Sequence, residues 1–280
     1  MAGGGTAPPP EAVRKEGVGA IFVITIAIVI LVAGLGLGLA YSRSLPKTVL
    51  LVATNAPFPP FEDFNATNGE FEGFDIDIAA LIAQELGRTL RVVQFSSFQV
   101  LLATVGTGGV DMAASAITSS GSQGATRNQT MDFSNPYYNA NQAVLVRTAS
   151  TLTCASNTCT AASLAGLEVG VQQGTTSEGW VNDNGDPSTV ITTFVTVDSE
   201  LAALSAGSID AIVIDLAPAQ TFAGASGGTL RVAGQIITNE LYSFAVPNND
   251  PDNILPAINQ FLAEIMADGR YDALIAKWFG

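Results

Sequence analysis

Histidine is missing altogether from this 280-residue chain. Its absence removes the commonest general base, the usual partner of a nucleophilic Ser or Cys, and the commonest metal ligand. Lys, Asp and Glu remain as catalytic groups, but the case for an enzyme weakens, and no cofactor is expected. Cysteine is scarce too: Cys154 and Cys159 stand in TLTCASNTCT. Without a CxxC spacing or a further Cys/His pair they argue against zinc, and no metal is expected. They read either as a local disulfide in an oxidising compartment or as two thiols in a turn. Positive charge is thin, with 11 Lys and Arg against 25 Asp and Glu, a net charge of −14. That balance excludes nucleic acid as a partner, because a phosphate backbone needs a basic face.

What is present is unevenly placed. Residues 1–17 are Gly, Pro and Ala with a few charges, the composition of a disordered leader. Val18 to Tyr41 is almost wholly apolar. About 20 such residues cross a bilayer, and a cleavable secretory core is usually shorter. A transmembrane or signal-anchor helix is therefore expected over 18–41. Arg14 and Lys15 precede it and Arg43 and Lys47 follow, so flanking charge sets no orientation. No Cys follows it, which excludes a lipoprotein anchor. Lys15-Glu16-Gly17 resembles the cleavage site of a type IV pilin-like signal, which would leave Val18 opening a helix able to anchor or to self-assemble in a filament.

From Lys47 the pattern is globular and alternates strand with helix. Thr48 to Thr54 reads as a strand, Phe74 onward as a helix with Asp75 and Asp77 in its first turn, and Leu90 to Phe95 as a strand. Phe98 to Val105 reads as a helix and Val110 to Ala114 as a strand. Ala140 to Arg147 is an extended apolar segment. A second such unit comes next, with strands over 168–172, 190–195, 211–214 and 229–232. Leu241 to Val246 is another extended segment, and helices over about 252–267 and 271–278 close the chain. The order implies α/β lobes with mostly parallel sheets. Two extended crossings imply two lobes: 47–143 with 246–280, and 144–245 including the hinge strands. Ligands of such sheets sit at the carboxyl ends of the strands.

One stretch stands out. Asp111 to Tyr138 runs from a buried strand into small hydroxylated residues and Gly, carrying the single Arg127. Such a strand end can hold a small anion, with the guanidinium pairing a carboxylate bidentately. Alone, it reads equally as a surface loop with a solvated Arg.

Several motifs occur in order: Pro59-Pro60-Phe61-Glu62, Gly73-Phe74-Asp75-Ile76-Asp77, Asp132-Phe133-Ser134-Asn135-Pro136-Tyr137-Tyr138, Gly170-Val171-Gln172-Gln173-Gly174-Thr175-Thr176, Asp210-Ala211 with Asp215, and the ending Asp268-Gly269-Arg270-Tyr271 to Lys277-Trp278-Phe279-Gly280. Together they resemble the family 3 solute-binding proteins of ABC transporters, whose fold is the type II periplasmic-binding-protein fold. The resemblance implies an extracytoplasmic protein that captures a polar amino acid and delivers it to ABC permease subunits. It implies Arg127 for the ligand α-carboxylate and Asp215 for the α-ammonium. Phe58 and Phe98 would sandwich the ligand. Ser115, Ala116 and Thr118 would supply the strand-end contacts, Thr175 and Thr176 an anion-binding turn, and Asn55 and Gln172 the side-chain contacts.

Asn55 and Gln172 are both neutral, which leans toward a neutral polar ligand such as glutamine. The stretch between Thr118 and Arg127 is longer than the family's usual turn, which bears on where Arg127 falls. Tyr137, Tyr138, Trp180 and Trp278 read as structural. Asn65 and Asn128 open glycosylation sequons. Two other functions compete: a filament subunit built on the N-terminal helix, and an enzyme resembling the cyclohexadienyl dehydratases of the same fold.

Overall fold

The computed structural model describes Met1 and residues 47–280. The leader and the apolar helix expected at 18–41 lie outside the described residues. Among the described residues no helix is long and apolar enough to cross a membrane. The elements all belong to the unit Thr48–Gly280.

The run VLLVAT forms β1 (Val49–Thr54), with Leu50, Val52 and Ala53 sealed from solvent. Burial on both faces is what a central parallel strand requires. A hairpin of β2 (Asp63–Asn65) and β3 (Glu70–Glu72) comes next, turning at Gly69 with φ +76°. Helix α1 (Phe74–Glu85) buries Phe74, Ile78, Ala79, Ile82 and Ala83 against the sheet. Then come β4 (Thr89–Gln94), α2 (Phe98–Gly106) and β5 (Met112–Ala113), and both strands lie parallel to β1. Ser97 caps α2 by accepting from the Val100 N–H at 3.3 Å.

Helix α3 (Gly121–Arg127) and β6 (Met131–Phe133) lead into β7 (Tyr138–Arg147), the first crossing. The second lobe alternates in the same way: β8 (Glu168–Gln172), α4 (Thr176–Asn184), β9 (Val190–Phe194), α5 (Val197–Ala206), β10 (Ala211–Asp215) and α6 (Leu216–Ala225). Strands β8, β9 and β10 are parallel. Cys154 and Cys159 are disulfide-bonded, and the loop they close leans on a strand far along the chain, where Cys159 N–H donates to Gln235 O at 2.7 Å.

The return crossing is β11 (Leu230–Tyr242), antiparallel to β7 from Leu230↔Arg147 to Tyr242↔Tyr138. It joins the segment expected at 229–232 to the start of the one expected at 241–246. The polar run Thr238-Asn239-Glu240 hid its continuity, and a register shift between Ile236 and Glu240 accommodates that run as a bulge. β12 (Ala245–Pro247) then enters the first sheet between β5 and β6, antiparallel to both. The two sheets are ordered β4-β1-β5-β12-β6 and β11-β7-β10-β8-β9.

Helices α7 (Leu255–Asp268) and α8 (Arg270–Phe279) end the chain against the first lobe. Phe279 stacks on Tyr138 with ring centroids 5.1 Å apart and meets Phe61 and Phe74 edge-on. Asp77 fastens the same helix by accepting from Trp278 Nε1 and Lys277 Nζ, both at 2.7 Å.

Gly73 shows how tightly the loop before α1 is drawn. Its φ is +137°, and a Cβ there would lie 2.1 Å from the Phe61 carbonyl oxygen. Gly73→Ala is expected to destabilise the protein by more than about 1 kcal/mol, read as a lower urea midpoint with unchanged slope.

Candidate ligand-binding site

The carboxyl ends of β1 and β5 in one lobe face those of β8 and β10 in the other. Between them lies a narrow cavity walled by residues of both lobes. Its lining contains Asn55, Phe58, Phe98, Ser115, Ala116, Thr118, Arg127, Gln172, Thr175, Thr176 and Asp215, all singled out from the sequence, together with Glu62.

Arg127 reaches this cavity by a route the sequence does not advertise. The longer stretch after Thr118 reads as a loop because GSQGATR has no apolar periodicity, yet it folds as α3. Gly124 permits the tight start, since a Cβ there would meet Ser119 O at 2.1 Å. The helix ends on Arg127, only 6% exposed. Its Nη1 donates to Thr118 O at 2.8 Å, and its Nη2 donates to Gly174 O of the opposite lobe at 3.0 Å. Phe98 lies under the guanidinium, 5.4 Å from ring centroid to Cζ. Burial lowers the Arg127 pKa to about 10, opposed by the negative charge of Glu240 and Asp215.

On the second lobe, Thr175 caps α4 by accepting from Glu178 N–H at 3.2 Å. Asp215 ends β10 and accepts from Gln142 Nε2 at 2.7 Å. Burial first, then the neighbouring Glu240, pushes its carboxyl up to about 8. Across the gap, Gln172 Nε2 donates to Asn55 Oδ1 at 2.9 Å.

Two acids matter more than the sequence reading allowed. Glu62 carries no sequence signal beyond its place after Pro59-Pro60-Phe61. It is sealed at the cavity wall, where Oε1 accepts from Ser115 Oγ at 2.7 Å and Oε2 has no hydrogen-bond partner. Burial and the nearby Asp75 push its pKa well above the carboxylate range. Asp75, read as a helix-start acid, is that and more. It accepts from Ala116 N–H at 2.8 Å and Tyr137 Oη at 2.6 Å, fixing Ala116 at φ +47° at the cavity floor. Burial raises its pKa to about 7. Among the described residues, no cluster of Cys, Asp and Glu is arranged to hold a metal ion.

The sequence profile of the bacterial extracellular solute-binding proteins, family 3, matches residues 50–280. The chain is 30% identical to the L-cystine-binding protein TcyJ of Escherichia coli K12 over 233 residues, 82% of each chain. It is 28% identical to the ABC transporter glutamine-binding protein GlnH of Bacillus subtilis over 216 residues, 76% of this chain and 75% of that one. Among solved structures it is similar to an ancestral arginine-binding protein bound to arginine. That likeness has a TM-score of 0.76 and 31% identity, and it covers 84% of this chain and 100% of that one.

Glu62, Asp75 and Asp215 share their upward shift with Glu200, which is buried on α5 with both carboxyl oxygens unpaired. Each binds its proton more tightly folded than unfolded, so this stability is fully present below the ordinary carboxylate pKa and is lost as pH rises through the folded values. For Asp75 and Asp215 that window runs from about 4 to about 7 and 8. Urea midpoints of the ligand-free protein are expected to fall from pH 5 to pH 8, and Glu200→Gln is expected to flatten the slope.

Proposed function

The chain belongs to the bacterial extracellular solute-binding proteins, family 3, and on that premise we propose that it captures a polar amino acid between its lobes and delivers it to the permease subunits of an ABC importer. The observation that carries this reading is the pairing of Arg127 and Asp215 from opposite lobes on one cavity. A zwitterion needs one cationic and one anionic partner, both desolvated when the cleft shuts, and an arriving ammonium beside Asp215 favours the ionised form that burial alone disfavours. Two of the Arg127 N–H groups are engaged by carbonyls, and the rest of its five donors suit an α-carboxylate. The N-terminal end of α4 adds N–H groups and the positive end of a helix dipole. Contacts made only when both lobes meet the ligand favour the closed form.

The side chain that fits is one with both a donor and an acceptor. Asn55 and Gln172 are neutral amides. Glu62, whose raised pKa lets it keep its proton, can accept from and donate to a primary amide. Glutamine meets this description, in keeping with the glutamine-binding relative. Titrating the protein calorimetrically with a panel of amino acids is expected to give the tightest binding for L-glutamine, and heat from arginine or glutamate alone would sink the amide reading. Arg127→Ala is expected to lose about 2–5 kcal/mol of binding, because it strands a buried carboxylate. Prephenate included in the panel is expected to come back unchanged, which separates this reading from a dehydratase.

The apolar run Val18 to Tyr41 is read as the tether that keeps the binding unit on the outer face of the membrane. Full-length protein is expected in the membrane fraction and a chain starting at Lys47 in the soluble fraction. Filaments of the full-length chain by electron microscopy would show that the helix assembles instead.

A further inference from the structure

Glu240 does not line the cavity, yet it touches both lobes and the strand pair between them. It lies on β11 and is only 7% exposed. Its Oε2 accepts from Thr118 Oγ1 of the first lobe and from Thr176 Oγ1 of the second, both at 2.7 Å. Its Oε1 accepts from Gln142 Nε2 on the neighbouring crossing strand at 2.9 Å. One carboxylate oxygen thus joins both lobes, and the other joins the hinge.

Its position is built. The excursion Ile237-Thr238-Asn239 separates Ile236↔Gln142 from Glu240↔Ala140 in the ladder. Asn141 Oδ1 holds that excursion by accepting from the N–H groups of Thr238 and Asn239, each at 3.0 Å. Asn239 takes a left-handed φ of +51° to allow it. The bulge turns the Glu240 carboxyl to where the lobes converge.

Gln142, fully buried, ties this carboxylate to the site. Its Nε2 faces Asp215 Oδ1 as well as Glu240, and its Oε1 accepts from Ser177 Oγ at 2.6 Å. Glu240 also supplies the largest favourable electrostatic support for the buried charge of Arg127.

We propose that Glu240 is an interlobe latch, a positioning residue that draws Thr118 and Thr176 together and so sets how readily the cleft closes, whatever amino acid occupies it. The inference rests on the cleft reading for its effect on binding, and scattering of the ligand-free protein reads its effect on closure separately. Opening the lobes parts the two threonines and leaves the carboxylate short of at least one charge-assisted hydrogen bond. A latch changes the population of the closed form, and apparent affinity scales with that population for every ligand alike.

Two variants test this. Glu240→Ala removes the acceptors, and Glu240→Gln keeps the shape with one acceptor oxygen fewer. Small-angle X-ray scattering of ligand-free protein is expected to show a larger radius of gyration for Glu240→Ala than for wild type, with Glu240→Gln between them. Across the amino-acid panel, affinity is expected to fall on the order of tenfold by a common factor, with unchanged ligand ranking and a faster dissociation rate. A purely structural role would lower the melting temperature without this uniform shift in dissociation. Unchanged scattering, or a loss that reorders the ligands, overturns the latch. If wild type binds none of the panel, the amino-acid reading fails, and the scattering comparison still decides on the latch. Should Glu240→Ala not fold, Glu240→Gln carries both measurements.

Discussion

A guanidinium nearly sealed from water is the constraint on which the molecule turns. Removing a charge from water costs several kcal/mol unless oxygens replace the lost hydration. Arg127 finds them on both sides, in the Thr118 carbonyl of its own lobe and the Gly174 carbonyl of the other. The acidic partners Glu240 and Asp215 stand close enough to support its charge. Each lobe supplies one of the two carbonyls, so solvating this one side chain draws on both lobes.

The two sheets are arranged to serve that meeting. Each presents the carboxyl ends of parallel strands to the gap, where side chains converge and helices begin. The antiparallel pair β7 and β11 runs from one sheet to the other and carries Gln142 and Glu240 on its way. The hinge is therefore also a polar wall, joined to the cavity by hydrogen bonds that end on Asp215.

Much of this could be read from the residues. Apolar β-branched runs such as Val49 to Thr54 and Ala211 to Ile214 mark buried parallel strands, because nothing polar interrupts them. The residues singled out for the cavity meet there because short motifs fix the strand ends that carry them. Helix α3 was not legible. Its residues are small and polar, and only tertiary contact at Gly124 and Arg127 fixes it. The length of β11 escaped for a related reason, since Thr238 and Asn239 sit in a bulge whose hydrogen bonds come from Asn141, far off in sequence. The burial of Glu62 and Asp75 was hidden too, because it depends on Ser115, Ala116 and Tyr137 arriving from later in the chain.

The first sheet is stitched from distant parts of the chain. Strand β12 slots between β5 and β6, and Phe279 reaches back to rings at positions 61, 74 and 138. The early strands of that sheet therefore lack the partner between β5 and β6 until residues 245–247 are present. The second lobe has no such dependence, because every strand of its sheet lies within residues 138–242. A chain so wired can pair every strand of its second lobe before the sheet of its first is complete, although the first lobe opens the sequence.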